Sequence, residues 1–138
     1  ISSWHNNSMK KFLFMPLIFL SFNIYAEWVF VDESKGVLGI GKGSELYVWK
    51  YYETDDTGMR NFKILTNFKR TVANEASSVA NWGVRCDRPH RVFAADLEGF
   101  SEKNGKGRSV YVEENLATWM TLNDDSTLRV AVNMVCRN

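Results

Sequence analysis

The glycine-rich segment at residues 36–43, Gly-Val-Leu-Gly-Ile-Gly-Lys-Gly, is the stretch of this sequence that comes nearest to a chemical motif. A phosphate-binding loop places Ser or Thr directly after its lysine to hold magnesium, whereas Gly43 stands there in this chain. Such a loop must also open a helix whose amide groups face the phosphates. Residues 46–52 are instead rich in aromatic side chains typical of a strand. The segment is therefore predicted to be a glycine hairpin rather than a nucleotide site.

Side chains suited to acid–base or nucleophilic catalysis do not form a recognisable set. His90 is the only histidine after residue 26, and a triad needs a nucleophile, a base and an orienting acid together. No serine lies in a G-x-S-x-G turn. Glu113 and Glu114 are neighbours on a predicted strand and point to opposite faces, and the pair Asp124-Asp125 is explained more simply by helix capping. We therefore expect no enzymatic activity.

The two cysteines, Cys86 and Cys136, are candidates for a disulfide bond or for a metal site. A metal site lacks ligands, because the sequence has no C-x-x-C pair and only one histidine in this part of the chain. A disulfide would close a loop of about 50 residues and contribute about 4 kcal/mol to stability. We favour the disulfide for a protein that works in an oxidising compartment.

Basic side chains surround Cys86 and form the candidate binding patch, which consists of Arg85, Arg88, His90 and Arg91. Such a patch suits an acidic partner, such as a sulfated polysaccharide or an acidic protein surface. The alternative is an ordinary solvated loop whose charges pair with Asp87 and Asp96. The sequence leaves both interpretations open.

Residues 9–26 have the layout of a secretory signal peptide. Lys10 and Lys11 follow Met9, an apolar run occupies residues 12–22, and Ala26 precedes the expected cleavage point. A membrane-spanning helix needs about 20 apolar residues, and this run is much shorter. We expect residues 1–8 to be an upstream extension outside the fold and residues 27–138 to form one domain. The predicted location is periplasmic or secreted.

Two further expectations follow from that cleavage. The residue after the cut is Glu27 rather than a cysteine, so no lipoprotein thiol and no membrane anchor would remain. The full chain has 17 basic and 16 acidic residues, and two of the lysines lie before residue 27, which leaves a net charge of −1. Charge alone therefore gives no reason to expect binding to nucleic acid or to an anionic membrane.

The remaining sequence predicts an α+β domain. Strand-like runs occur at residues 27–31, 46–52, 62–71, 78–86, 91–97 and 109–113. Leu128, Ala131, Val132 and Val135 then follow helical spacing, with Ser126 as a plausible N-cap. We expect an antiparallel sheet of about five to six strands with a C-terminal helix, stabilised by one disulfide.

Aromatic side chains offer the best internal indication of binding. Tyr47, Trp49 and Tyr51 share one face of a predicted strand, while Leu46 and Val48 lie on the other. Both faces therefore carry apolar bulk. We expect the helix to cover one face and a second subunit or a ligand to cover the other.

A series of features along the chain also forms a pattern: Val48-Trp49 within a strand, Cys86 followed by Arg91-Val92-Phe93, the turn Gly105-Lys106-Gly107, Trp119 shortly before Ser126, and Cys136 ending a helix. In this order and spacing they resemble the bacterial surface-adhesin protein E family. The resemblance implies a sheet-plus-helix domain in which Cys86 is bonded to Cys136, without a cofactor. It also implies binding to host matrix and serum proteins, often as a homodimer.

Two functions are compatible with these observations. The first is an exported, non-catalytic adhesin-type module that binds an extracellular or host protein. The alternative is a small periplasmic inhibitor of lysozyme or another cell-wall hydrolase. That alternative predicts contact with the basic enzyme through an acidic loop, either Asp55-Asp56 or Asp124-Asp125.

Overall fold

The structure is a computed structural model that describes residues 27–34, 43–124 and 126–137. The predicted signal peptide at residues 9–26 and the extension at residues 1–8 lie outside the described residues, as do residues 35–42, which include all of the glycine-rich segment except Gly43. Within the described part of the chain, no helix is long and apolar enough to cross a membrane.

In the described part of the chain, eight strands form one antiparallel sheet: β1 (Trp28–Glu33), β2 (Glu45–Trp49), β3 (Glu53–Thr54), β4 (Arg60–Val72), β5 (Glu75–Val84), β6 (Arg91–Glu102), β7 (Lys106–Glu113) and β8 (Thr118–Thr121). The main path across the sheet runs β1-β2-β4-β5-β6-β7. The two short strands lie off this path, with β3 paired to β4 and β8 paired to β6.

The strand count differs from the prediction of five to six strands. The six long strands match the predicted runs, although β6 extends well past residue 97 and β2 ends before Tyr51. Strands β3 and β8 have two and four residues. Segments this short carry too few alternating positions for the two-residue period to be recognised.

The glycine-rich segment connects two antiparallel strands, as the hairpin prediction requires. β1 pairs with β2 up to Glu33 and Glu45, and Ser34 N donates to Ser44 O at 2.7 Å. Gly43 has a φ of +86°, a conformation that favours glycine. Because β2 begins at Glu45, the described chain after Gly43 is a strand and not the helix that a phosphate-binding loop opens.

The sheet has an inner face, which the helix covers in part, and an outer face. Leu46 and Val48 of β2 point inward and are fully buried, while Tyr47 and Trp49 point outward and are only partly buried. The register continues this alternation, since Leu46 lies opposite Thr66 and Val48 opposite Ile64. The predicted division of β2 into two apolar faces is therefore confirmed. Tyr51 lies beyond the end of the strand.

Helix α1 (Thr127–Cys136) begins as predicted. The Ser126 side chain accepts a hydrogen bond from Arg129 N at 3.3 Å, which caps the helix N-terminus. The predicted apolar stripe is buried, and it joins inner-face residues of the sheet in one core, which includes Leu46, Val48, Phe62, Ile64, Val84 and Val92. Ten residues make a helix of only about 15 Å, so part of the inner face stays uncovered.

The end of the helix is joined covalently to the end of β5. Cys86 and Cys136 form the predicted disulfide, with their Cα atoms 5.4 Å apart. Arg60 Nη1 donates to the carbonyl of Val135 at 2.7 Å, one residue before the disulfide. One covalent bond and one side-chain hydrogen bond thus tie the helix C-terminus to the sheet.

The turn between β6 and β7 folds back over the outer face. Asn104 and Gly105 both have positive φ, 66° and 68°, which form the tight reversal. The buried side chain of Asn67 holds this turn through two hydrogen bonds, accepting from Asn104 N at 2.8 Å and donating to Asn104 Oδ1 at 2.9 Å. Ser77 Oγ accepts from Gly105 N at 3.0 Å. The turn therefore covers the middle of β4 and β5, where Leu65 is buried.

Candidate functional site

The predicted basic patch lies on the connection between β5 and β6, which we call the basic turn (residues 85–91). Two consecutive turns shape it, since Arg88 N donates to Arg85 O at 2.8 Å and Arg91 N donates to Arg88 O at 3.2 Å. Arg85, Arg88, His90 and Arg91 are all exposed. The structure therefore brings the four predicted patch residues together at one end of the sheet, beside the disulfide.

The charges of the basic turn are only partly compensated. Arg85 Nε lies 3.7 Å from Asp87 Oδ1, and both side chains are largely exposed, so this pair contributes little energy. Asp96, the other expected partner, instead accepts a hydrogen bond from Asn81 Nδ2 at 2.5 Å. Among the described residues, Arg88 and Arg91 form no ion pair.

Arg91 connects the basic turn with an aromatic cluster. Its guanidinium group lies 5.4 Å from the ring centroid of Trp119, within the range of a cation–π contact. Trp119 in turn meets Phe93 edge to face, with centroids 5.4 Å apart. β8 produces this arrangement, because its pairing with β6 places Trp119 opposite Phe93. The Trp119 side chain is still 41% exposed.

A second aromatic pair lies across the outer face. Trp49 and Tyr51 are 6.2 Å apart between ring centroids, and Trp28 packs against Trp49 at 4.8 Å. Between this pair and Phe93 lies a concavity of about 650 Å³, which we call the outer trough. Polar and small side chains line its floor, among them Asn61, Lys63, Asn81, Gly83 and Ala95. Aromatic walls and a polar floor suit a protein loop or another polar ligand.

The uncovered part of the inner face forms a second concavity of about 760 Å³, which we call the inner groove. Its lining is mainly apolar and comes from several strands and the first turn of the helix: Leu46, Ile64, Phe68, Ala80, Trp82, Leu97, Met120 and Leu128. Lys69, Arg70 and Glu75 lie at its rim. The Trp82 Nε1 atom is buried and has no hydrogen-bond partner in the described structure, so it is a donor available to a bound oxygen.

One tyrosine on the lining of the inner groove, Tyr111, has a raised pKa. Tyr111 donates to Glu75 Oε1 at 3.1 Å, and its ring lies over Gly99, where a Cβ atom would meet it. Burial, followed by the nearby Glu75 charge, raises the pKa of Tyr111 to about 12. Burial also raises the pKa of Glu75, against the smaller opposing effect of the Tyr111 hydrogen bond.

The acidic loops that the inhibitor hypothesis requires interact within the chain. Asp55 accepts from Thr57 Oγ1 at 2.5 Å, from Thr57 N at 2.9 Å and from Met59 N at 3.1 Å. These bonds, led by the Thr57 hydroxyl, lower the pKa of Asp55. Asp124 lies 4.0 Å from Arg129 Nη2. Asp125 lies outside the described residues. No observation therefore favours either loop as a contact surface.

No metal centre is present among the described residues, since no three His, Cys, Asp or Glu side chains are grouped as ligands. Sequence reasoning missed both the contact of Arg91 with Trp119 and the inner groove. The first depends on β8, which was not predicted, and the second collects residues from separate strands. The alternation of Ile64, Thr66 and Phe68 is the available signal for the groove, because the two-residue period of a strand places these side chains on one face.

These features define a class of protein domain. It has a single antiparallel sheet, a disulfide-linked C-terminal helix, and exposed aromatic and basic side chains at one end of the sheet. The chain belongs to the surface-adhesin protein E family, whose model matches residues 28–137. The predicted family resemblance is thereby confirmed. The family name describes a surface adhesin, and a search of curated proteins returns no significant match.

Solved structures of protein E from Haemophilus influenzae share the fold. One has a TM-score of 0.63 at 13% identity, over 81% of this chain and 85% of that chain. A second crystal form gives 0.62 at 13% identity, over 81% and 88% of the two chains. Protein E from non-typeable Haemophilus influenzae gives 0.58 at 15% identity, over 79% and 76%. Identities this low establish the common fold alone.

Proposed function

We propose that this protein is an exported, non-catalytic adhesin-type module that binds an extracellular or host protein through the basic turn and the adjoining outer face. The observation that carries the proposal is the exposed contact of Arg91 with Trp119, which brings the basic turn next to the aromatic pair of Trp119 and Phe93. Arg, Trp and Tyr are the residue types that most often dominate binding energy at protein interfaces. Membership in an adhesin family supports the same function.

The partner's surface should be acidic where it meets the basic turn. Arg88 and Arg91 form no ion pair among the described residues, so an acidic partner would compensate charges that the fold leaves open. Exposed charges at an interface rim act mainly on the association rate and on its dependence on salt. The aromatic pair of Trp119 and Phe93 would supply the desolvated centre of the interface.

The test is charge reversal at the basic turn, with binding measured against immobilised host matrix and serum proteins. We expect Arg88→Glu with Arg91→Glu to weaken binding at least tenfold, mainly through slower association, and to reduce its salt dependence. Arg108→Glu is the matched control, since this exposed arginine lies on β7, away from the turn. Equal affinity of the reversed protein, the control and the wild type would exclude the basic turn as the binding surface.

We also propose export, with cleavage of the signal peptide at residues 9–26 and a mature domain that begins at Glu27. A surface-adhesin family is consistent with an extracytoplasmic location. Intact mass of protein recovered from periplasm and culture medium tests this proposal directly. A mass that begins at Glu27 supports it, and a mass that retains residues 9–26 contradicts it.

Homodimer formation and the lysozyme-inhibitor alternative remain predictions without a supporting contact in the structure.

A further inference from the structure

The inner groove lies on the face of the sheet opposite the proposed protein-binding surface, so it calls for an explanation of its own. Its floor consists of inward-facing side chains of β5 and β6, including Ala80 and Leu97, and Met120 of β8 adds to the lining. Leu128 of α1 forms one side. The helix is too short to cover these residues, which leaves a concave apolar surface beside the core.

The size and lining of the groove fit a small-molecule site. Its volume of about 760 Å³ lies within the range of about 300–1,000 Å³ that is typical of ligand pockets. Such pockets combine a mainly apolar lining with a few placed polar groups. Among the described residues that line the groove, Trp82 Nε1 is the buried side-chain polar atom without a hydrogen-bond partner.

Charge is distributed unequally at the rim. Lys69 and Arg70 are exposed at the open end, and among the described residues neither forms an ion pair. The third charged group, Glu75, is engaged by the hydroxyl of Tyr111 at 3.1 Å. The rim therefore presents two cations whose charge a ligand could compensate, next to a long apolar lining.

We propose that the inner groove binds a free fatty acid, with the hydrocarbon chain along Ala80, Leu97 and Met120 and the carboxylate at Lys69 and Arg70. The chain would bury apolar surface that the short helix leaves exposed to water. The carboxylate would form charge-assisted hydrogen bonds with Lys69 and Arg70 at the rim. Binding is non-covalent, and it is independent of the basic turn.

The test uses the full mature domain and saturated fatty acids of increasing chain length, namely octanoate, decanoate and dodecanoate. Each is used below its critical micelle concentration. Isothermal titration calorimetry should show saturable binding at one site, tightening by up to about fourfold for each added methylene group. Dodecyltrimethylammonium, with the same chain and a cationic head, should bind much more weakly. Affinity that does not change with chain length, or equal affinity for the cationic amphiphile, would overturn the proposal.

Variants separate the groove from general hydrophobic adsorption. Ala80→Phe should fill the floor and abolish dodecanoate binding, and Lys69→Glu with Arg70→Glu should weaken it about five- to tenfold. Arg108→Glu is the matched charge control and should bind like the wild type. If Ala80→Phe does not fold, the rim variant still decides, because Lys69 and Arg70 are exposed. Binding to phosphatidylglycerol vesicles without binding of free dodecanoate would contradict the proposed ligand.

The two proposals fail independently. Loss of dodecanoate binding in the groove variants should leave binding to matrix proteins unchanged, since the basic turn is intact in them. Conversely, Arg88→Glu with Arg91→Glu should bind dodecanoate normally. If the reversal at the basic turn also abolished dodecanoate binding, the ligand would not occupy the inner groove.

Discussion

Arg91 is the residue through which the charge of the basic turn meets the aromatic surface of the sheet. Its stacking on Trp119 holds a long, flexible side chain against a rigid ring, which reduces the rotamer entropy that binding would otherwise cost. The same contact leaves Trp119 partly exposed. This residue pair therefore combines charge, contact area and limited mobility where the basic turn meets the aromatic surface.

Asp55 offers a test of local electrostatics at the residue level. Its hydrogen bonds, first that from the Thr57 hydroxyl, hold the pKa of this carboxyl below its ordinary value of 3.8. A carboxyl with a lowered pKa contributes stability above the unfolded value and loses it as pH falls through the folded value. We therefore expect the stability advantage of the wild type over Asp55→Asn to be present at neutral pH and to disappear at strongly acidic pH.

Urea denaturation of the two proteins at neutral pH and below pH 3.8 measures this difference. Asp56→Asn is the matched control, because Asp56 is the exposed neighbour and accepts no hydrogen bond from the described residues. A gap between wild type and Asp55→Asn that stays constant with pH would show that the turn does not depend on the charged carboxylate.

Among the elements, α1 depends most on the disulfide at its end. The helix has ten residues, and isolated helices of this length are marginal in water, so packing and the covalent link must hold it. Reduction, or Cys86→Ser with Cys136→Ser, should lower the free energy of unfolding by about 4 kcal/mol. Denaturation of the oxidised and reduced protein measures this, and equal stability would mean that packing alone fixes the helix.

The β6–β7 turn provides a second test at the level of elements. Asn67→Ala removes both hydrogen bonds to Asn104 and leaves partly buried polar groups of the turn without these partners. We expect a loss of about 1–3 kcal/mol in the free energy of unfolding. Lys63→Ala, at an exposed position of the same strand, should change stability by less than about 0.5 kcal/mol. Similar effects of both substitutions would contradict the role assigned to Asn67.

At the scale of the whole molecule, the features that could be predicted from the sequence are those that depend on local periodicity. The stripe from Leu128 to Val135 and the opposite faces of Leu46 and Tyr47 follow from spacing alone, and both are observed. Pairing across the sheet is not local. Arg91 and Trp119 meet only because β8 returns to β6, and no periodic signal marks a strand of four residues.

The candidate sites divide in the same way. The basic turn was predictable because its residues are neighbours in the chain, within seven positions of one another. The inner groove was not, because it depends on how far a short helix reaches across an eight-stranded sheet. Sequence spacing determines which side chains share a face, whereas the extent of coverage depends on tertiary packing.

The central claim is that the surface around Trp119 binds an extracellular protein, and truncation of that side chain tests it most directly. Saturable binding of wild type, Trp119→Ala and the control Val130→Ala to immobilised matrix and serum proteins should be compared at equal folded concentration. Val130 is similarly exposed, at 39%, but lies on the helix. We expect Trp119→Ala to weaken binding at least tenfold and Val130→Ala to bind like the wild type. Equal affinity of all three proteins would contradict the account.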